Sequence, residues 1–137
     1  EQLFQRGALT EGSIEDHYVT FLAGIFRSVR FGASSAHGKA NMVRFNYFQE
    51  QGAFTRDDQT GTYRVDFEAM DQAVDSLSRL ILTLQGDGDY EGADALMRER
   101  GVVPPELQVD LERLDGMGIP RDIVFEQGVD VLFTSEQ

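Results

Sequence analysis

Phe67, Met70, Val74, Leu77, Ile81 and Leu84 follow one another at steps of three, four, three, four and three. Only a helix brings such positions onto one stripe, and an apolar stripe of that length has to be buried against something. It is too short to demand a coiled coil, so it is expected to face a core. Asp66 stands where an N-cap belongs, and the helix is expected to run from there to about Gln85.

The rest of the chain supplies partners for that stripe. Ser13 is an N-cap with Asp16 three residues on, a short form of the capping box. Ile14, Tyr18, Phe21, Leu22, Ile25, Phe26 and Val29 then recur at helical spacing as far as Arg30. Gly32 is a natural terminator, and Arg27 and Arg30 in the last turn complement the helix dipole. The next helix starts at Ser34 or Ser35 and ends at Gly52. Ala36, Ala40, Val43 and Tyr47 fall on one face of it, and Met42, Phe45 and Phe48 on another. A helix apolar on two sides is central, or lies between this domain and something else. Tyr63, Val65 and Phe67 alternate beyond an Asp-Asp…Gly turn, which predicts a small hairpin from Ala53–Arg56 and Thr62–Phe67. Asp89 caps a helix over Tyr90–Arg100 that Gly101 closes. Pro104 or Pro105 opens another, carrying Leu107, Leu111 and Leu114 and stopped at 116–118.

The expected fold is therefore mainly α, about five helices in an irregular bundle with one small β-hairpin. Residues 1–12 read as a lead-in with a helical turn near Leu3–Ala8. Residues 13–118 read as the helical domain, and 119–137 as a strand-like or irregular tail. Length, 137 residues, fits one domain or a piece of a larger one. The chain opens on Glu1, consistent with excision from or processing of a longer protein. It has no Cys, which excludes disulfides, a thiolate nucleophile and cysteine-ligated metal. A net charge of −12 argues against nucleic acid and anionic membrane surfaces as partners. No apolar run approaches the roughly 20 residues of a membrane span. A cytoplasmic location is the expectation.

One stretch breaks the acidic pattern. From His17 to Gln49 there is no Asp or Glu, although the chain has 24 of them. Arg27, Arg30, Lys39 (the only lysine) and Arg44 make the run +4, so the remainder of this −12 chain is −16. Such a run binds an anionic ligand, docks an acidic partner, or pairs with acids around it; its length favours the first two. His37 lies inside it, in the first turn of a helix. There the dipole and neighbouring cations favour a neutral imidazole, able to donate one hydrogen bond to a carbonyl oxygen or oxyanion. The competing reading is a helix-start histidine bonded locally. His17 lies opposite its helix's apolar face and reads as solvated. The two histidines lack any short zinc spacing, so no metal site is expected in this chain. Asp87-Gly88-Asp89-Tyr90-Glu91-Gly92 imitates the start of a calcium loop, but Arg98 stands where the closing Glu belongs, so it reads as a loop and N-cap. No nudix signature, P-loop or G-x-S-x-G is present.

The segment FRSVRFGASSAHGKANMVRFNYFQEQGAF resembles the C-terminal part of the dipeptidyl peptidase III family of zinc metallopeptidases, especially its bacterial members. An Ala-His pair opening an apolar helix that closes at Gly matches Ala36-His37 and Gly52. Leu77–Gln85, Gly88-Asp89, Ala93–Arg100 and Pro105-Glu106-Leu107 follow in the family's order, so the resemblance covers roughly residues 13–115. It implies a split site. Zinc and the water-activating Glu would belong to a missing upstream part of the same protein, and zinc would be the cofactor of that parent and not of this chain. His37 would stabilise the substrate carbonyl and the tetrahedral intermediate. In animal and yeast members a substrate-contacting Arg follows one turn later; here that position is Asn41. Lys39 or Arg44, on a different face, would supply positive charge instead, making Lys39, Asn41 and Arg44 the expected peptide contacts. Some bacterial relatives also carry an N-terminal nudix domain. Alone, the chain is expected to be inactive. The rival expectation is a helical interaction or structural module, without catalytic role, in a nudix-type parent. If one side of the His37 helix packs against the missing portion, an exposed apolar patch or self-association surface is expected beside Met42, Phe45 and Phe48.

Overall fold

The structure, a computed structural model, describes residues 2–122. Its elements run α1 (Gln2–Gln5), α2 (Ile14–Val29), α3 (Ala36–Glu50), β1 (Phe54–Asp57), β2 (Thr62–Val65), α4 (Phe67–Asp87), α5 (Tyr90–Arg100) and α6 (Pro105–Gly116). The mainly α reading holds, with five helices beyond the single turn of α1 and one antiparallel hairpin in which Phe54 faces Val65 and Asp57 faces Thr62.

The helix ends follow the local punctuation. Ser13 and Asp16 close a reciprocal capping box: the Asp16 N–H donates to Ser13 Oγ at 3.2 Å, and the Ser13 N–H donates to Asp16 Oδ2 at 2.9 Å. The Ser13 N–H, and after it the Ser13 hydroxyl donating to the same Oδ2 at 3.0 Å, hold the Asp16 carboxyl below its ordinary range. Ser35, Asp66 and Asp89 each accept the N–H three residues on, at 3.0, 2.9 and 2.8 Å. Gly88, at φ +64°, ends α4 in the left-handed conformation that a side chain would strain. The Asp87–Gly92 segment is thus a helix end followed by an N-cap.

The core forms where α2, α3, α4 and the hairpin converge. Tyr18, Leu22, Ile25 and Val29 of α2 meet Met42, Phe45 and Phe48 of α3, Phe54 of β1, and Met70, Ala73 and Leu77 of α4. Leu107 and Leu111 of α6 close it. Phe26, Phe45 and Tyr63 meet edge to face and Phe54 lies tilted against Phe45 and Tyr63, with centroids 4.5–6.2 Å apart.

Two apolar expectations need correction. Met42, Phe45 and Phe48 form no exposed patch: all three are buried at the centre, because α2 crosses the face that a single-helix reading leaves open. The α4 stripe is buried only in its middle. Phe67 and Ile81 are 41% and 37% exposed, Met70 and Leu77 are buried, and Val74 and Leu84 are half-buried. No helix among the described residues is long and apolar enough to cross a membrane. The strand-like reading of the tail falls on residues 123–137, outside the described residues.

The hairpin is fastened to α6 by charge. Asp110 is buried and accepts from Arg56 Nε at 2.8 Å, Arg56 Nη2 at 3.0 Å and the Tyr63 hydroxyl at 2.7 Å. The Arg56 bonds hold its carboxyl below the usual range, against the opposing effect of burial, and the Tyr63 bond adds to them. Burial and the bond to Asp110 push the Tyr63 phenol well above its ordinary value. Arg113 donates to the turn carbonyls of Thr60 and Gly61 at 3.0 and 3.1 Å.

Candidate functional site at the start of α3

The loop between α2 and α3 sets where His37 stands. Gly32, at φ +86°, turns the chain, and Gly38 lies so close to it that a Cβ there would meet Gly32 O at 2.2 Å and Ala33 Cα at 3.1 Å. A glycine two residues before Ala40 is therefore what lets α3 start against the end of α2. Ser35 caps that start, and His37 occupies its first turn, exposed, with no hydrogen-bond or ion-pair partner among the described residues. The reading of a locally bonded histidine is not what the geometry gives.

Helix geometry then sorts the other candidates. Asn41 and Arg44 come four and seven residues after His37, within about 40° of it around the helix axis. They also touch each other: Arg44 Nη1 donates to Asn41 Oδ1 at 3.1 Å. The expectation that Arg44 lies on a different face is thereby corrected. Lys39 lies about 200° from His37. Its Cβ is 3.4 Å from where a Cβ on Gly101 would stand, so it leans on the end of α5. The structure brings His37, Asn41 and Arg44 together and leaves Lys39 out.

Pairing with surrounding acids accounts for one cation of the positive run. Arg30 bonds Asp115 at 3.0 Å. No ion pair of Arg27, Lys39 or Arg44 occurs among the described residues. The face of His37 thus combines an imidazole, an amide and a guanidinium without a neutralising carboxylate bound to them.

Contacts behind the site fix α3. Asn46 Nδ2 donates to the carbonyls of Arg100 and Val102 at 2.7 and 2.8 Å, capping the end of α5. The Tyr47 hydroxyl donates to Ser76 Oγ at 3.0 Å. Arg100 lies over the Tyr47 ring and donates to Glu50 at 2.9 Å. An apolar groove of 240 Å³ opens beside Arg44, lined by Ala40, Val43, Leu77, Ile81, Leu96 and Met97. Sequence reasoning missed this groove and the Asn46 cap. The uncovered end of the α4 stripe was its only local signal.

The donor set does not fit zinc. Among the described residues no group of three or more His, Asp or Glu side chains is placed to hold a metal ion. His17, in the first turn of α2, lies against Phe4 with ring centroids 5.8 Å apart. It is separated from His37 by nearly the length of α2, roughly 20 Å.

No family profile matches the chain. It superimposes on dipeptidyl peptidase III from Caldithrix abyssi with a TM-score of 0.82 and 37% identity, over 88% of this chain and 23% of that one. The chain is similar to a segment of dipeptidyl peptidase III. The enzyme of that name from Corallococcus sp. strain EGB gives the same TM-score and identity, over 90% of this chain and 22% of its own. Nudix hydrolase 3 of Arabidopsis thaliana is 43% identical over 121 residues, which are 88% of this chain and 16% of that protein. The chain thus spans about one sixth of its curated relative and under a quarter of each dipeptidyl peptidase III chain. In fold and sequence it is a peptidase-related region.

Proposed function

We propose that this chain is the substrate-facing part of a dipeptidyl peptidase III-like zinc peptidase. On this reading His37 donates a hydrogen bond to the scissile carbonyl oxygen and to the oxyanion that develops from it. Such a donor accelerates the reaction because it binds the charge of the transition state more strongly than the ground-state carbonyl. Asn41 and Arg44 hold the peptide on the same face. Zinc would be held by another part of the parent protein. The observation that carries the reading is His37 itself: an exposed first-turn imidazole without a partner among the described residues, in a chain of which 88% superimposes on dipeptidyl peptidase III.

The test is His37→Ala in the parent protein. It should lower kcat by about 10²–10³-fold with metal content unchanged. Unchanged turnover would overturn the proposal. The match to Nudix hydrolase 3 favours one second reading, an interaction module in a nudix-type parent. That reading predicts the unchanged turnover.

A further inference from the structure

Arg30 ends α2 as its C-cap, and its side chain is only 9% exposed. The guanidinium reaches across to the end of α6. Nη2 donates to Asp115 Oδ1 at 3.0 Å and to Ile119 O at 2.6 Å, and Nη1 donates to Pro120 O at 3.0 Å. Asp115 lies in the last turn of α6, and Arg121 bonds its other oxygen. A planar fork of fixed donors fits such a set as a lysine could not. Nε stays buried and unpaired among the described residues, so the guanidinium sits where the end of α6 requires and not where every donor is satisfied.

The segment after Arg30 has little slack. The Phe31 and Gly32 N–H groups donate back to Ser28 O at 3.2 Å and Val29 O at 2.9 Å. Gly32 O and Ala33 Cα then lie against Gly38, the residue after His37, with no room for a Cβ between them. The end of α2 and the first turn of α3 therefore form one corner. The buried Val29 keeps that corner in the core, but hydrophobic packing is non-directional. Among the hydrogen bonds and ion pairs of the described residues, those of Arg30 are the ones that tie residues 28–38 to anything beyond α2 and α3. Farther along, Asn46 and Tyr47 fasten the body of α3 to α5 and α4.

We propose that Arg30 is a positioning residue for His37: its grip on Asp115, Ile119 and Pro120 sets the angle at which α3 starts, and so where the imidazole stands. The catalytic consequence rests on the proposed role of His37; the geometric one does not. Asn41 and Arg44 are held from farther along α3, so loosening the grip disturbs the oxyanion contact and spares the peptide contacts. The signature is a loss in kcat with KM kept.

Arg30→Gln in the parent protein should lower kcat about tenfold and change KM by less than about twofold, with metal content unchanged. Added to His37→Ala it should cost nothing more, because a residue that acts through the imidazole has nothing left to position. Arg30→Lys, which keeps the ion pair but not the fork, should recover part of the loss. In the full chain, Arg30→Gln and the milder Asp115→Asn should each move the amide resonances of His37 and Gly38. Those of Gln49 and Glu50, at the far end of α3, should stay, with helix content by circular dichroism unchanged. A further loss from Arg30→Gln in the His37→Ala background, or unmoved His37 and Gly38 resonances in both variants, would overturn the proposal. If His37→Ala alone leaves turnover unchanged, the reading of His37 as donor falls by itself, and the resonances still decide the positioning.

Discussion

Arg56 grips Asp110 through two bonds, Nε at 2.8 Å and Nη2 at 3.0 Å, across 54 residues of sequence. This fork, with the Tyr63 hydroxyl on the same carboxylate, holds the hairpin against α6 together with the Arg113 bonds to the turn. Charge-assisted bonds of this kind are the stronger ones, and they lie where water competes least.

Asp110→Asn should therefore destabilise the chain by about 2 kcal/mol, because it removes the charge and one acceptor while the Arg56 and Tyr63 donors stay in place. Joint replacement, Asp110→Leu with Arg56→Met, should cost less than the two single losses added together, since no charge is left unpaired. Urea unfolding of the variants beside the parent sequence measures both effects. Strict additivity would show that the fork does not couple the two elements.

The same carboxylate sets an acid limb. The folded chain holds Asp110 below its ordinary value, chiefly through Arg56. A depressed carboxylate contributes stability that is complete above the unfolded value, about pH 4, and is lost as pH falls toward the folded one. Melting temperature should be flat from neutral pH to about 5 and then fall, and the fall should be shallower in Asp110→Asn. Equal slopes in the two proteins would remove Asp110 from the explanation.

Gly38 and Gly24 should answer opposite ways to alanine. Helix propensity alone favours alanine at either by up to about 1 kcal/mol. At Gly24 a Cβ meets nothing within 4 Å, so Gly24→Ala should raise the melting temperature. At Gly38 it would meet the backbone oxygen of Gly32 at 2.2 Å, so Gly38→Ala should destabilise by about 1–3 kcal/mol as the loop shifts. Thermal melts of both variants decide it; a stabilised Gly38→Ala would mean that the loop yields freely.

Asn46 joins α3 to the end of α5. Asn46→Ala leaves the Arg100 and Val102 carbonyls without that donor and should cost about 1–2 kcal/mol. Amide exchange should rise first in the last turn of α5. Loss spread evenly over the chain would point to a packing defect instead.

On the proposed function, Arg44→Met in the parent protein should raise KM for peptide about fivefold, the loss of one exposed charged contact, with kcat little changed. Lys39→Ala, on the opposite side of α3, should leave both unchanged. Equal effects would show that net charge matters and the shared face does not.

The residues explain which parts of this arrangement the sequence made legible. Helix ends at Ser13, Ser35, Asp66 and Asp89 are decided by atoms within three or four residues, so local reading places them. His37 at the head of α3 is legible for the same reason. The Arg56–Asp110–Tyr63 fastening is not, because its parts meet only after two helices have folded between them. Nor does periodicity say that α2 would cover Met42, Phe45 and Phe48, since two apolar faces look alike until a neighbour chooses one. The sides of α3 given to Lys39 and Arg44 follow from counting turns. The hydrogen bond from Arg44 to Asn41 adds what counting cannot.

His37 stands at one tip of α3, whose length is gripped by α2, α4, α5 and β1. The backbone that carries the imidazole cannot shift alone; it travels with the whole bundle, as the end of a lever travels with its arm. Over the roughly 20 Å of α3, a swing of about 5° about the far end carries the ring about 2 Å, the difference between a bonded oxygen and one out of reach. Alignment of this group with a partner is thus governed by how the entire helical body is seated, and surfaces far from the histidine hold the controls.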